Sequence, residues 1–480
     1  MRSSISFFLG KELKKLEAFD PNQTVLEYLR VTERRCGTKE GCAEGDCGAC
    51  TVVVVEIEGE KLRYRAVNSC ILFLGNLDGV QLLTVEDLGS SCSGLHPVQS
   101  SMVDLHGSQC GFCTPGFIMS LFALYKSEAN PTLDSLEDSL IGNLCRCTGY
   151  RPILEAGQEM IVRRAPDQFS DDEKNTYEQL RSLSHQESVE IKSSQGYFHR
   201  PSSLEELSKL YTSKPEAYIL AGGTDLGLLV TKLRKRLESI IAVSAIKELH
   251  VIEEDNSHIK IGAAVTYTDA LPILKSNFPA FEQVVLRLGS RQIRNLGTIG
   301  GNIANASPIG DSPPALLALE AELALRGPDG ERSVALADFF VDYRKTVLLK
   351  GEFIEAIMIP KLKSNEILKI YKISKRFDQD ISTLCAAVKI ELNGQQIVKA
   401  CISFGGMAAT PARAFEAERS LVGKVFAEET FLAVAQKLEE DFQPISDFRG
   451  SSDYRMIVAK NLMRKFFLEA HGSGVQTGVI

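Results

Sequence analysis

Ten of the twelve cysteines in this 480-residue chain fall between Cys36 and Cys147, and only Cys385 and Cys401 lie beyond. Cysteines that merely fill cores scatter along a sequence, so this crowding marks the first third as a region that folds around metal. The N-terminus places Lys11, Lys14 and Lys15 after the apolar run Ile5 to Leu9, the reverse order of a secretory signal. No stretch approaches ~18 uninterrupted apolar residues; the best, Pro314 to Leu325, is broken by Glu320 and Glu322. A cytoplasmic protein without membrane spans is therefore expected, where thiols stay reduced and disulfides are disfavoured.

Two cysteine patterns carry the chemistry. The first is Gly41-Cys42-Ala-Glu-Gly45-Asp-Cys47-Gly48-Ala-Cys50, with Cys70 beyond the next strand. Cys-x4-Cys-x2-Cys with a distant fourth cysteine is the plant-type [2Fe–2S] spacing. Each iron needs two protein sulfurs beside the bridging sulfides, and the glycines let a tight loop aim amide N–H groups at them. Zinc is the rival, but its usual paired Cys-x2-Cys knuckles are absent. The second pattern is Gln109-Cys110-Gly111-Phe-Cys113, then Gly142-Asn143-Leu-Cys145-Arg146-Cys147-Thr-Gly149-Tyr150. Its Cys-x-Cys pair is awkward for a zinc knuckle and suits a bridged two-iron core. Cys36, Cys92, Cys385 and Cys401 fall outside both patterns and are expected to be small buried apolar residues.

Periodicity sets the domain plan. Residues 4 to 19 alternate about Gly10-Lys11 as a β-hairpin does, Pro21 to Arg30 looks helical, and Thr51 to Ile57 is a Val-rich strand. From His96 to Met160 the period becomes 3.6, as in Phe117, Leu121, Leu124 and Leu133, Leu136, Leu140. The expectation is an α+β multidomain chain: a ferredoxin-like domain over 1–86, a helical domain over 87–165, a polar linker over 166–195, a mixed domain over 196–362 and an α+β domain over 363–480. That last domain should carry strands at Ala386 to Leu392 and Lys399 to Phe404 and a helical tail. A charge of -8, from 54 basic against 62 acidic side chains, offers no basic stripe for nucleic acid.

Two glycine-rich loops stand in the mixed domain, Leu220-Ala221-Gly222-Gly223-Thr224-Asp225-Leu226 and Thr298-Ile299-Gly300-Gly301-Asn302. Neither follows Gly-x-Gly-x-x-Gly, so a Rossmann dinucleotide fold is not supported. Tandem glycines still let backbone amides close on a pyrophosphate, although either loop alone could be an ordinary turn.

In their order and spacing, the cysteine patterns resemble the iron–sulfur region of the xanthine dehydrogenase and aldehyde oxidase family of molybdenum hydroxylases. The resemblance runs from about residue 4 to 470. It implies a β-grasp [2Fe–2S] domain and a helical [2Fe–2S] domain, then a vanillyl-alcohol-oxidase-like FAD domain and a C-terminal flavoprotein domain. Cys42, Cys47, Cys50 and Cys70 would hold the cluster nearer the flavin, and Cys110, Cys113, Cys145 and Cys147 the cluster facing molybdenum, where Gln109 would touch the molybdopterin. FAD contacts would fall on Leu220, Ala221, Gly222, Gly223, Thr224, Asp225, Leu226, Thr298, Ile299, Gly300, Gly301, Asn302, Asp311, Ile354 and Lys372. Leu288 stands where some relatives stack an aromatic ring on the flavin. Asp311 would bind cofactor hydroxyls or cap the helix that follows it, and Lys372 would lie near the flavin ring. The run Lys372 to Ser382 would line the nicotinamide side or form a solvated loop.

By that resemblance no residue of this chain is catalytic toward the purine. Substrate would be hydroxylated at molybdopterin in a partner subunit, with electrons passing through the two clusters to FAD and NAD in an (αβ)2 assembly. The sequence ends where the linker to a molybdenum domain would begin in the family, which implies a separate subunit. The alternatives are the same role in an aldehyde, nicotinate or carbon monoxide oxidiser, or a non-catalytic metal-binding scaffold.

Overall fold

Thr51–Glu58, a run of four valines, explains how the N-terminal half is built. Val53 and Val55 are buried among the helices that carry Phe117 and Leu121, while Val52 is buried on the opposite side with Phe7 and Val67. Successive strand residues point to opposite faces, and a strand covered on both faces needs an unbroken apolar run. The computed structural model describes residues 1–89, 94–183 and 187–472. The chain divides into two compact units, Met1–Lys247 with Gly289–Gly297, and Glu248–Leu288 with Thr298–Ile480. The division falls inside the stretch 196–362.

In the first unit the expected hairpin pairs Ile5–Leu9 with Glu12–Leu16. It turns through Gly10 at φ 58°. The five strands are ordered Glu12–Leu16, Ile5–Leu9, Gln81–Leu83, Thr51–Glu58, Lys61–Asn68, with one parallel pairing between Ile5–Leu9 and Gln81–Leu83. The helical domain packs on this sheet through Thr114–Ser127, whose residues from Gly116 to Tyr125 are all buried. An all-round apolar helix is the one that runs through a core. Leu133–Leu140 and Arg151–Val162 flank it.

The segment 166–195, expected as a linker, instead forms the helices Gln168–Asp171 and Glu173–Leu183 and the strand Val189–Ser193. Thr176, Leu180 and Leu183 are buried at helical spacing. Their charged neighbours hide the period because only one narrow stripe is covered. His96 and Lys126 anchor this segment through the buried Asp167, at 3.0 and 2.9 Å. Beyond it, Val189–Ser193, Gly196–Arg200, Ser239–Ala242 and Tyr218–Leu220 form a four-stranded sheet. Asp78 bonds Arg2 at 2.6 Å and Arg200 at 3.0 Å with its carboxylate almost wholly buried. Removing that carboxylate would leave two part-buried cations without their shared partner.

The second unit holds an antiparallel sheet ordered Ile252–Glu254, His258–Gly262, Phe353–Pro360, Glu322–Gly327, Gly330–Ala335. Helices Tyr267–Asn277, Pro279–Leu286 and Ser312–Ala318 supply buried residues to its core. Glu366–Ile373, Leu384–Asn393 and Gln396–Gly405 form a second antiparallel sheet. Phe415–Leu421, Glu428–Asp441 and Ser452–Ala470 cover it with Phe431, Leu438 and Phe466. No described helix is long and apolar enough to cross a membrane. Of the cysteines expected to be buried, Cys385 and Cys401 are, Cys36 is exposed, and Cys92 lies outside the described residues. Cys36 sits past the helical turn Tyr28–Thr32 in a loop outside helix and strand, where it faces solvent.

Candidate cofactor sites

At the first cysteine set, a loop with Ala43, Gly45 and Gly48 at positive φ wraps its own sulfurs. The amides of Glu44, Asp46 and Cys47 donate to Cys42 Sγ at 3.4, 3.4 and 3.3 Å, and Cys42 N–H donates to Cys47 Sγ at 3.3 Å. Cys50 and Cys70 stand with their sulfurs 3.2 Å apart, and Asn68 Nδ2 donates to Cys50 Sγ at 3.7 Å. Sequence reasoning passed over Asn68; its place two residues before Cys70 was the available signal. Leu26 and Ile71 enclose this pair, with Leu228 and Ile293 packed against it.

The thiols titrate in opposed pairs. The hydrogen bond from the Cys47 thiol, aided by the amides and opposed by burial, holds Cys42 down to about 5, and the same bond with burial drives Cys47 up. Cys50 is lowered by its bond from Cys70, and Cys70 is raised by that bond and by burial. Each pair shares a proton in this way, and a bound cation would let both of its sulfurs ionise.

The second set repeats the pairing. Cys110 is lowered, chiefly by the Phe112 amide and then by Cys147, which is itself raised. Burial and the Cys145 contact push Cys113 up to about 12, while at Cys145 the Thr148 hydroxyl and nearby amides outweigh burial and bring it to about 7. Thr148 Oγ1 lies 3.2 Å from Cys145 Sγ, and Cys145 N–H donates to the Tyr150 hydroxyl at 3.1 Å. Cys110 and Cys147 are exposed, beside the half-exposed Phe112 at 48%. Gln109 is exposed as well. Among the described residues no three ligating side chains converge on one point; the sulfurs stand two by two. A two-iron core with two thiolates per iron fits that donor set.

The sets adjoin. Leu144 N–H donates to Cys47 O at 3.0 Å, and Asn143 Nδ2 donates to Gly48 O at 3.1 Å. Gly48, at φ +68°, lies so near that a Cβ would stand 2.1 Å from Gly142 O.

The flavin-loop residues divide between the units. In the first, Leu220 to Leu226 join the strand Tyr218–Leu220 to the helix Leu226–Thr231. A Cβ on Gly222 would come within 1.7 Å of Leu296 O, so that glycine is required by protein packing as well as by any ligand. In the second, Thr298 caps Ile299–Ala304 by accepting from Gly301 N–H at 3.0 Å. Gly300 packs on Ala263, whereas a Cβ on Gly301 would meet only the tip of Thr298; this leaves the cradle that a bound group would fill. Asn302 Oδ1 accepts from Ser312 Oγ at 2.7 Å.

Asp311 stands at the N-cap, just before the helix Ser312–Ala318, but makes no side-chain cap. Its carboxylate accepts from the buried Lys372 Nζ at 2.6 Å and from Ser382. Lys372 also donates to Arg287 O at 3.1 Å, a neighbour sequence reasoning missed because no motif marks it. Ile354 is buried in the sheet core, with Leu288 packed partly buried against the same core.

Four family descriptions match in order. A 2Fe-2S iron-sulfur cluster binding domain covers 10–74 and a [2Fe-2S] binding domain covers 84–158. The FAD binding domain in molybdopterin dehydrogenase covers 190–362, and the CO dehydrogenase flavoprotein C-terminal domain covers 369–470. Xanthine dehydrogenase of Drosophila subobscura is 32% identical over 100% of this chain and 40% of its own length. The Gallus gallus xanthine dehydrogenase/oxidase is 29% identical over 97% of this chain and 40% of its own. The chain thus spans about two fifths of the curated relatives it matches.

Among solved structures, CO dehydrogenase from Oligotropha carboxidovorans is 32% identical with TM-score 0.53, covering 56% of this chain and 94% of that one. Quinoline 2-oxidoreductase from Pseudomonas putida 86 is 27% identical with TM-score 0.53, covering 58% and 98%. With two [2Fe–2S] domains, an FAD domain and a flavoprotein C-terminal domain, the chain belongs to the molybdenum hydroxylase family that includes xanthine dehydrogenase and CO dehydrogenase.

Proposed function

We propose that this chain is the electron-transfer subunit of an NAD-linked xanthine dehydrogenase. Two paired cysteine sets joined by the Leu144–Cys47 hydrogen bond are the observation that carries the electron-transfer part; similarity to xanthine dehydrogenases along the whole of this chain, two fifths of theirs, favours xanthine. Cys42 with Cys47 and Cys50 with Cys70 hold the two irons of one cluster, and Cys110 with Cys147 and Cys113 with Cys145 those of the other. Leu220 to Leu226, Leu288, Thr298 to Asn302, Asp311, Ile354 and Lys372 contact FAD. When bound, the clusters carry single electrons and the flavin exchanges them for hydride.

The chain's residues prepare these sites. Amides at Cys42 stabilise negative charge on sulfur. The buried Lys372 supplies a fixed cation whose charge Asp311 balances, and Lys372 to Ser382 borders the nicotinamide. The exposed Cys110, Phe112 and Cys147 face a molybdopterin-binding partner, in a cytoplasmic (αβ)2 assembly. Similarity that covers 94–98% of the CO dehydrogenase and quinoline 2-oxidoreductase chains supports a second reading, the same role with another substrate.

The test is to purify the chain with whatever partner accompanies it and assay xanthine, an aldehyde, quinoline and carbon monoxide with NAD and with a dye. Xanthine-dependent NADH formation is expected. Turnover of another substrate alone would establish the second reading, and a preparation lacking iron and flavin colour would overturn both.

A further inference from the structure

Although it precedes the second glycine loop in sequence, the segment Gly289–Gly297 packs in the unit that holds both cysteine sets. Ser290 caps its short helix Arg291–Arg294 by accepting from Ile293 N–H at 3.2 Å. From there the side chains fan out. Arg291 reaches Glu128 at 2.8 Å, Ile293 packs beside Cys50 and Cys70, Arg294 pairs with Asp138, and Asn295 donates to Ala66 O at 2.8 Å.

Gln292, from outside both cysteine loops, bonds beside each of them. It is fully buried, and its Nε2 lies 3.0 Å from Ser120 Oγ, 3.1 Å from Asn143 Oδ1 and 3.4 Å from Thr51 Oγ1. Thr51 follows Cys50, Asn143 precedes Cys145 by two residues, and Ser120 lies on the helix that begins after Cys113. With Nε2 bonded to Asn143 Oδ1, the other end of that amide, Nδ2, is turned onto Gly48 O between Cys47 and Cys50. Thr51 Oγ1 donates to the same carbonyl at 2.7 Å. Among the described residues Gln292 Oε1 has no hydrogen-bond partner, and it lies where a Cβ on Gly142 would stand 2.1 Å away. A buried carbonyl left unpaired is a cost to the fold. An apolar side chain would avoid that cost, so stability alone does not account for glutamine here.

We propose that Gln292 is a positioning residue for both iron–sulfur sites, its buried amide setting the register between the two cysteine loops and so tuning both clusters together. The proposal rests on both cysteine sets holding [2Fe–2S] clusters. Its test is Gln292→Met, which keeps the length and removes the donor, read by iron content, redox-titrated EPR and thermal melting. Asn22→Ala serves as control, because it breaks a different buried amide pair in the same unit, Asn22 with Leu237.

Wild-type protein should hold about four irons per chain in two signals; failure there would sink the cluster reading itself. Gln292→Met is expected to keep its iron while the midpoint potentials and line shapes of both signals shift, whereas Asn22→Ala lowers the melting temperature and leaves both signals unchanged. Wild-type signals in Gln292→Met, or a shift in one signal only, would overturn the proposal. Should Gln292→Met not fold, Gln292→Glu preserves the shape, lets the Ser120 hydroxyl turn to donate, and is judged by the same criteria.

Discussion

Cys50 and Cys70 are 1% and 2% exposed, whereas Cys110 and Cys147 lie open to solvent. Both sites pair their thiols, yet the first sets one pair, Cys50 and Cys70, in an apolar core with Leu26 and Ile71 and keeps Cys42 and Cys47 half-buried, whereas the second has one pair at the surface. Identical ligand chemistry therefore couples to folding at one site and is presented outward at the other. An insulated cluster suits exchange within the chain; an exposed one suits exchange with a partner.

The largest expected effect separates the two sites by stability. Cys50→Ser should abolish one reduced-cluster EPR signal and cost about 3 kcal/mol or more in urea unfolding, because it opens a buried ligand set. Cys110→Ser should abolish the other signal with a much smaller loss of stability, because its site lies at the surface. Equal costs would erase the distinction. Next, Gly48→Ala forces a Cβ against Gly142 O at a positive φ, so it should cost about 2–3 kcal/mol and disturb both signals. Disturbance of the first alone would show that the loops move independently.

A smaller effect is kinetic. Under a strong chelator the exposed site should lose its iron about tenfold faster than the enclosed one, since only the latter needs local opening; loss at a common rate would mean that both sites are released by one global opening. The smallest is a shift in pH. In iron-depleted protein, Cys42, held near 5, keeps its thiolate as pH falls until that value, whereas Cys145, near 7, loses it about two units earlier. Alkylation followed by mass spectrometry at pH 6 should thus mark Cys42 over Cys145, and the reverse order would refute the amide stabilisation at the first loop.

Domain types and cofactor classes were legible in the chain because both are set by local constraints. A plant-type two-iron core draws three of its four sulfurs from one short loop, so the spacing of Cys42, Cys47 and Cys50 announces it. Four valines in a row announce a strand, Thr51 to Ile57. Less was legible where function depends on a partner far along the chain. The polar stretch 166–195 gave little sign of the helix Glu173–Leu183, because burial of Thr176, Leu180 and Leu183 comes from residues outside it. Asp311 was weighed as a helix cap or a cofactor ligand, and its bonds to Lys372 and Ser382 span 61 and 71 residues.

By itself, then, the sequence determined which side chains are able to ligate iron, that the chain has several domains, and which loops are rich enough in glycine to approach a cofactor. Tertiary structure decided which cysteine pairs with which, which site is enclosed and which is open, and that Gln292, 149 residues from Asn143, belongs with the cysteine loops. The reason is one of range. Spacing and periodicity report contacts within a few turns of chain, whereas burial, pairing and charge balance arise only when remote segments pack and exclude water from the same volume.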